Sequence, residues 1–324
     1  MTNLALNSDM VYGLYGGGFF GQFTRIALLL DVFTPLVKEP APAEKIAKVC
    51  NTSIEGMCSI LDYLYSTRVI DFDLMTREYA LTASARAFLV RKEKTYAGDW
   101  VLANTDPLLW EKVLETIQTG KSAGYDLPWA QDAWLESYSP SRIGTSLALW
   151  KTVGVKVIPN QSFHILDLAS GCGIKTMALA QRNQSVQVTC LDSESVLEVA
   201  RDLAKRLEIE TQISFFEGDL LSDTFGSNQF DAALLGLITY ILTPEQNVDV
   251  FTRAYQALKD GGRLVVDAIM STDEPKEWAS RATLLMKTWN GGAAHSFSEY
   301  SAWLKKVGFR QVVQHNEQLL TAFK

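Results

Sequence analysis

Histidine, cysteine and proline are scarce in this chain of 324 residues, which contains three, four and nine of them. The histidines (164, 295, 315) and the cysteines (50, 58, 172, 190) lack the spacing of a metal centre or a disulfide framework. We therefore expect no bound metal, and unpaired cysteines favour a reducing cytoplasm.

The chain also lacks long apolar runs and an excess of positive charge. No run reaches the length of a membrane span, and the N-terminus lacks the charged-then-apolar pattern of a signal peptide. A net charge of −7 argues against nucleic acid, because phosphate binding needs clustered Lys and Arg. With 47% hydrophobic residues, the chain has enough core material for two ordinary domains. We therefore expect neither a membrane nor a nucleic acid as its partner.

The most informative segment is the run at 165–173, ILDLASGCG, in which an apolar strand leads into small residues and then a helix. Gly171 and Gly173 allow a sharp turn and a close backbone approach to a ligand. Asp167, at the end of the strand, can accept hydrogen bonds from a cationic or amine-bearing ligand. Asp192 follows Gly173 by 19 residues and ends the next apolar strand, where an acid can bind ribose hydroxyls.

Two nucleoside cofactors fit this layout. A dinucleotide site needs a third glycine to seat a pyrophosphate at the helix N-terminus, and that glycine is missing here. The pattern Asp167-x-Ala169-x-Gly171-x-Gly173 instead resembles that of a family, named below, whose loop needs no pyrophosphate cradle. A weak nicotinamide site and a plain tight turn remain as alternatives.

Strands and helices alternate through the second half of the chain. The predicted strands are 164–168, 186–191, 212–216, 230–235 and 263–269, with helices at 195–207 and from Thr243 to the Gly261-Gly262 pair. A helix at 297–307, broken by Gly308, precedes two short strands at 309–314 and 318–323. This order predicts an α/β fold whose ligand lies at the carboxyl ends of parallel strands. As alternatives to binding a ligand there, Asp192 could cap the next helix and Asp219 could sit in a turn.

The first half of the chain follows a different order. Helices at 24–37, 43–49 and 54–66 precede a hairpin at 68–73 and 78–81, which is the winged-helix order. The acidic balance favours a packing domain over a DNA-binding one. The glycine-rich segment 12–21 is not a P-loop, because no Gly-Lys-Ser/Thr follows it. One account of this segment is an entry segment or a close helix contact. The other is that it lines the pocket mouth or the dimer interface.

The Asp167-to-Gly173 pattern resembles motif I of class I S-adenosylmethionine-dependent methyltransferases. The order of elements over residues 20 to 324 resembles the small-molecule O-methyltransferases of the caffeic-acid and acetylserotonin type, as do the segments 27–33, 79–82, 290–300 and 307–309. The resemblance implies a Rossmann-like seven-stranded methyltransferase sheet at 151–324. It also implies a mainly helical, winged-helix-like domain at 1–150, which mediates homodimerisation and roofs the substrate pocket.

The same resemblance implies the site residues. Those that hold S-adenosylmethionine are Asp167, Ala169, Gly171 and Gly173 on the methionine side, Asp192 at the ribose, Gly218, Asp219 and Leu220 at the adenine edge, and Gly236. Pocket positions of the family match Met286, Trp289 and Asn290, for which core packing is the alternative.

The family's catalytic histidine is absent, since its position falls on Tyr240, whose reference pKa near 10 makes it a poor base. Three accounts follow: an acceptor that needs little base help, His295 as the base, or chemistry other than methyl transfer. We expect a cytoplasmic, homodimeric methyltransferase acting on oxygen or carbon of an aromatic, polyketide-like or pigment molecule. The alternatives are a non-methylating enzyme of this fold, an NAD(P)-dependent oxidoreductase and a winged-helix, ligand-responsive regulator.

Overall fold

A computed structural model of the chain describes residues 9–125, 128–158 and 160–324, with side chains from Gly18 onward. The backbone divides into two compact units between Leu109 and Trp110. Within the described residues, no helix is long and apolar enough to cross a membrane.

The first unit is mainly helical and carries one small hairpin. Its helices are α1 (Asp9–Leu29), α2 (Ala43–Val49), α3 (Ile54–Ser66), α4 (Ala83–Leu89) and α5 (Gly98–Asn104), with α6 (Pro107–Thr119) running across the division. Strands β1 (Ile70–Asp73) and β2 (Glu78–Leu81) pair antiparallel. The Ser53 hydroxyl accepts a hydrogen bond from the Gly56 N–H and so caps α3, whose apolar stripe is buried. The predicted order of three helices and a hairpin is confirmed, although α1 ends at Leu29 and a short 3₁₀ turn at Thr34–Leu36 takes the rest of the predicted first helix.

The second unit alternates strands and helices. Its helices are α7 (Trp129–Ser137), α8 (Ser141–Thr152), α9 (Ile174–Arg182), α10 (Glu194–Arg206), α11 (Pro244–Ala257), α12 (Glu277–Trp289) and α13 (Phe297–Val307). Its strands are β3 (Phe163–Leu168), β4 (Val186–Asp192), β5 (Ile213–Glu217), β6 (Phe230–Gly236), β7 (Leu258–Asp267), β8 (Gln311–Gln314) and β9 (Leu319–Phe323).

Among the described residues, seven strands form one sheet in the order β5-β4-β3-β6-β7-β9-β8. Strands β3 to β7 are parallel, and β9 runs antiparallel to both β7 and β8. The chain therefore leaves β3 toward β4 on one side and later returns to β6 on the other. The carboxyl end of β3 is the switch point at which such sheets bind ligands.

Apolar side chains cover both faces of this sheet. One face packs Met177, Leu197 and Trp150 from the helices that flank it, and the other packs Phe251 and Tyr300. Burial on both faces explains why β3, β4 and β6 are almost continuously apolar. The predicted α/β fold with a seven-stranded sheet is confirmed.

Helix ends follow the local signals with one exception. Thr243 and Gln246 form a reciprocal capping box at the start of α11, as predicted. Gly308 has a φ of +122° and ends α13, also as predicted. The prediction that Gly261-Gly262 ends α11 is wrong, because the helix stops at Ala257 and both glycines lie within β7.

The predicted domain boundary near residue 150 does not coincide with the division between Leu109 and Trp110. Helix α7 packs on α10, and α8 packs on α9, so the segment before β3 belongs to the sheet unit. The dimerisation and roof functions expected of residues 1–150 remain predictions.

Candidate active site

A cavity with about 1000 Å³ of empty space, partly open to solvent, lies at the carboxyl ends of β3, β4 and β6. Its described lining comes from the loop after β3, the ends of β4 and β6, the loop after β6, helices α7, α9 and α10, and Trp289. The lining residues on which the argument below depends are Trp129, Asp132, Glu136, Asp167, Ala169, Gly171, Lys175, Asp192, Gly236, Tyr240 and Trp289.

The loop after β3 has a left-handed residue at every second position. The φ angles are +51° at Ala169, +56° at Gly171 and +73° at Gly173. A Cβ built on Gly171 meets no atom within 4 Å, so this backbone faces open space. A ligand can therefore approach the Gly171 backbone closely, which a larger side chain would prevent.

Gly173 serves the packing of the loop and does not line the cavity. It is the residue before α9, and a Cβ there would lie 2.7 Å from the Met177 methyl carbon and 3.3 Å from the Cys190 sulfur. Only glycine permits this close approach of helix and strand. The cofactor contact predicted for Gly173 stays a prediction.

Asp192 fastens the glycine loop to the end of β4. Its Oδ2 accepts a hydrogen bond from the Gly171 N–H at 2.9 Å, and its Oδ1 accepts one from the Ser193 N–H at 2.8 Å. Burial raises the pKa of this carboxyl, while the two N–H donors act in the opposite direction. A carboxylate has about four lone-pair sites, so it can still accept two further hydroxyl donors from the cavity.

Asp167 is a carboxyl at the cavity floor and only 2% exposed. Its Oδ2 accepts a 2.6 Å hydrogen bond from the Thr176 hydroxyl. Burial raises the pKa of Asp167 to about 7, against the opposing effects of Thr176 and Lys175. A cation placed beside this carboxyl would favour its ionised form.

The segment predicted to contact the adenine edge lies beside the cavity and not among its lining residues. The Gly218 N–H donates to the Asp192 carbonyl at 3.1 Å, so the segment directly adjoins the ribose candidate. The Asp219 carboxylate is exposed and accepts from the Leu221 N–H and the Ser222 hydroxyl within a turn. Leu220 is buried in the core. The adenine role of all three residues remains a prediction.

Tyr240 lies in a firmly held loop after β6. The loop's Thr239 hydroxyl is 2.7 Å from the Tyr300 hydroxyl, and its Thr239 and Leu242 carbonyls accept from the Asn247 side-chain amide. Both Gly236 and Tyr240 line the cavity, as predicted residues of the site. Burial first, then the charges of Asp132 and Glu136, raises the pKa of Tyr240 to about 12. A raised pKa keeps this phenol protonated at neutral pH, so it can donate a hydrogen bond, and the catalytic role predicted for Tyr240 stays a prediction.

His295 is buried away from the described cavity lining. Its Nε2 lies 3.4 Å from the Leu242 carbonyl oxygen, and its Nδ1 lies 3.8 Å from Glu299 Oε1. Its ring meets the Trp303 ring edge-on at 4.8 Å between centroids. These contacts hold the loop that carries Tyr240, and the predicted role of His295 as a base is not tested by them.

Of the three predicted acceptor residues, the structure brings only Trp289 to the cavity. Its ring lies 4.9 Å from that of Trp129, tilted by 46°. Met286 is buried, and the Asn290 side-chain oxygen accepts from the Gly292 N–H at 3.1 Å. The acceptor contacts predicted for Met286 and Asn290 stay predictions.

Sequence reasoning missed four side chains of the lining: Trp129, Asp132, Glu136 and Lys175. The first three lie on α7, upstream of every strand of the sheet, where no motif marks them. Lys175 follows the glycine loop and pairs with Asp267, with 3.1 Å between Nζ and Oδ2. The i, i+4 spacing of the two acids on a helix was the one available signal.

The charges of the cavity favour a cationic ligand. Four carboxyl groups line it, Asp132, Glu136, Asp167 and Asp192, against the single amine of Lys175 among the described lining residues. A bridging diphosphate would meet repulsion from these acids, whereas a sulfonium or ammonium would be attracted. Within the described part of the chain, no group of His, Cys, Asp and Glu side chains could hold a metal ion.

Comparison with known proteins identifies the family of this sheet unit. A family model described as a methyltransferase domain matches residues 165–262. The tetracenomycin polyketide synthesis 8-O-methyl transferase TcmO of Streptomyces glaucescens is 25% identical over 313 residues, 91% of this chain and 89% of the relative. Residues 165–262 therefore belong to the methyltransferase domain family, and the chain is similar to a methyltransferase over most of its length.

Two further similarities agree with this membership. The S-adenosyl-L-methionine-dependent methyl transferase PigF of Serratia sp. (strain ATCC 39006) is 23% identical over 309 residues, 90% of the methyltransferase described here and 88% of PigF. Human N-acetylserotonin methyltransferase, solved in complex with SAM, matches with a TM-score of 0.67 at 17% identity, over 100% of this chain and 99% of the human one, and so has the same fold. PigF is named as S-adenosyl-L-methionine-dependent, and the human enzyme was solved with SAM, so S-adenosylmethionine is the cofactor against which the cavity is compared.

The cavity fits that cofactor. The open space over the Gly171 backbone leaves room for a ligand against the loop. The spare acceptor capacity of Asp192 suits a ribose diol, and the buried carboxyl of Asp167 suits an ammonium group.

Proposed function

We propose that this methyltransferase transfers a methyl group to an oxygen or carbon of an aromatic, polyketide-like or pigment small molecule. The observation that carries the proposal is one cavity that combines an acidic, glycine-lined floor with an indole-lined wall at the switch point of the sheet. TcmO, by its name, methylates an oxygen in polyketide synthesis, which supports an acceptor of this kind.

In this proposal, Asp192 binds the ribose hydroxyls of S-adenosylmethionine, and Ala169 and Gly171 receive its methionine part. Asp167 faces the ammonium group, and Gly173, Gly218, Asp219, Leu220 and Gly236 complete the surroundings as predicted. The cofactor supplies an electrophilic methyl on a sulfonium. The acidic lining favours this positively charged cofactor over its neutral thioether product.

The protein accelerates the transfer mainly by holding the acceptor atom in line with the methyl carbon, about 3 Å away. Trp129 and Trp289 offer flat apolar surfaces for an aromatic acceptor. The Tyr240 hydroxyl, protonated at neutral pH, would orient the acceptor by donating a hydrogen bond. His295 would keep this loop in place through its contacts with Leu242 and Glu299.

We further propose that the enzyme is a homodimer in the reducing cytoplasm. Helix α6 exposes Trp110, Leu114 and Ile117 on one stripe, each more than half exposed, and α1 exposes Phe20 and Leu29. An unpartnered apolar stripe of this kind fits burial against a second copy. Light scattering coupled to gel filtration should give twice the chain mass, and Leu114→Glu should give one chain mass. A monomeric parent protein would refute dimerisation.

The activity is tested by incubating the enzyme with methyl-labelled S-adenosylmethionine and a panel of hydroxynaphthalenes and hydroxyanthraquinones. Mass spectrometry should find labelled methyl in an organic product, and NMR should locate it on oxygen or carbon. Binding of S-adenosylhomocysteine without any product would refute the acceptor class and favour non-methylating chemistry. Preferred binding of NADH would refute the cofactor site.

A further inference from the structure

Helix α7 brings two carboxylates to the acceptor side of the cavity. Asp132 and Glu136 are one helical turn apart, so both lie on the face of α7 that lines the cavity. Trp129 and Tyr240 line the same cavity, and the charges of both acids, after burial, raise the pKa of Tyr240.

The two carboxylates have different partners. Glu136 is paired with Arg142 of α8, with 3.3 Å between Oε1 and Nη2. Asp132 has neither a hydrogen bond nor an ion pair with any described residue. Burial raises the pKa of Asp132, and the charge of Glu136 raises it further, while Arg142 acts against them.

The remaining charged groups of the described lining each have a partner within the protein. Asp167 holds the Thr176 hydroxyl, Asp192 holds the Gly171 and Ser193 N–H groups, and Lys175 is paired with Asp267. Asp132 is thus the one carboxylate of the described lining that has no hydrogen-bond or ion-pair partner among the described residues of the protein, so both of its oxygens can accept from a ligand.

We propose that Asp132 is the general base of this methyltransferase and accepts the proton of an acceptor hydroxyl, the role that the resembled family gives to a histidine at the position of Tyr240. The inference rests on the proposed function and narrows it to acceptors that carry an ionisable O–H. In the step, the acceptor oxygen forms a bond to the methyl carbon as the carbon–sulfur bond breaks. The electron pair of that bond returns to sulfur, which becomes a neutral thioether, and the O–H proton moves to the Asp132 carboxylate.

The surroundings of Asp132 suit this role. A general base works best when its pKa lies near the working pH, and burial beside Glu136 moves the pKa of Asp132 in that direction. The protonated Tyr240 hydroxyl can hold the same acceptor oxygen without competing for its proton. Arg142, by pairing with Glu136, limits the negative charge beside the base.

The test compares Asp132→Asn with the parent enzyme on S-adenosylmethionine and substituted 2-naphthols whose hydroxyl pKa values span the assay pH. For weakly acidic naphthols, kcat should fall by about 10²- to 10⁴-fold, the usual contribution of a general base. The loss should shrink for naphthols already ionised at the assay pH. Asp132→Glu should restore part of the rate, and S-adenosylhomocysteine affinity should match the parent enzyme's.

The Glu136→Gln variant tests the pH profile of kcat, which would not change if Asp132 had only a structural role. Because Glu136 raises the pKa of Asp132, this variant should shift the acidic limb of the kcat profile to lower pH. Glu277→Gln, at an exposed ion pair with Arg281, is the matched surface control and should leave the profile unchanged.

Two results would overturn the inference, and they are distinguishable. If the parent enzyme turns over naphthols and Asp132→Asn does so with an unchanged rate and pH profile, Asp132 is not the base. If the parent enzyme binds S-adenosylhomocysteine but methylates no naphthol, the acceptor class itself fails, and the base role fails with it.

Discussion

Replacing Asp192 with asparagine alters the point at which the glycine loop, the end of β4 and the proposed ribose site meet. The carboxylate accepts one backbone N–H on each oxygen, from Gly171 at 2.9 Å and from Ser193 at 2.8 Å. An amide keeps the shape but turns one acceptor into a donor. One N–H donor or one ribose hydroxyl then loses its partner, whichever way the amide is turned.

The expected loss follows from the charge of the acceptor. A hydrogen bond to a charged group contributes about 1.5–3 kcal/mol, which corresponds to a dissociation constant roughly 10- to 150-fold higher. The stability of the unliganded protein should change less, because burial already disfavours the Asp192 carboxylate and its replacement relieves that cost.

Isothermal titration calorimetry with S-adenosylhomocysteine measures this loss, and thermal unfolding of the unliganded variant checks the fold. Asp231→Asn is the matched control, because Asp231 also holds a backbone N–H, that of His164, but at the amino end of β6. Its effect on cofactor affinity should be about twofold or less. Equal affinity of Asp192→Asn and the parent protein would remove Asp192 from the site.

Three further predictions concern groups in or beside the cavity. Because burial raises the pKa of Asp167 to about 7, the folded protein keeps a proton that the unfolded chain releases at about pH 4. The free energy of unfolding should therefore fall as the pH rises between these two values. Asp167→Asn should remove that slope in melts from pH 4 to 8, and an unchanged slope would refute the shift. Tyr240→Phe removes one neutral hydrogen bond and should weaken transition-state binding by about 0.5–1.5 kcal/mol. A loss of kcat beyond about 10³-fold would instead identify Tyr240 as the base. His295→Ala should lower the unfolding free energy by about 1–3 kcal/mol in denaturant titrations, and unchanged stability with abolished turnover would instead support His295 as the base.

The sequence predicted what depends on local signals. The strand-loop-helix pattern from Asp167 to Gly173 needs small residues at positions with positive φ, and that need is visible in single letters. Parallel strands bring their carboxyl ends to one edge, so Asp167, Asp192 and Gly236 could be placed together without knowing any distance.

What the sequence did not predict depends on packing between distant segments. Helix α7 reaches the cavity because it packs on α10, more than fifty residues later, and no spacing rule links Asp132 to the glycine loop. His295 is a candidate base by its place in the sequence, but its ring is buried against Trp303 and Tyr300. Such contacts are decided by the fold and leave no periodic signal in the chain.

A crystal structure with S-adenosylhomocysteine tests the central claim most directly. The account predicts the nucleoside at the carboxyl ends of β3 and β4, with both ribose hydroxyls within hydrogen-bond distance of the Asp192 carboxylate and the amino group facing Asp167. Density for the ligand elsewhere, or ribose hydroxyls held by groups other than Asp192, would contradict it.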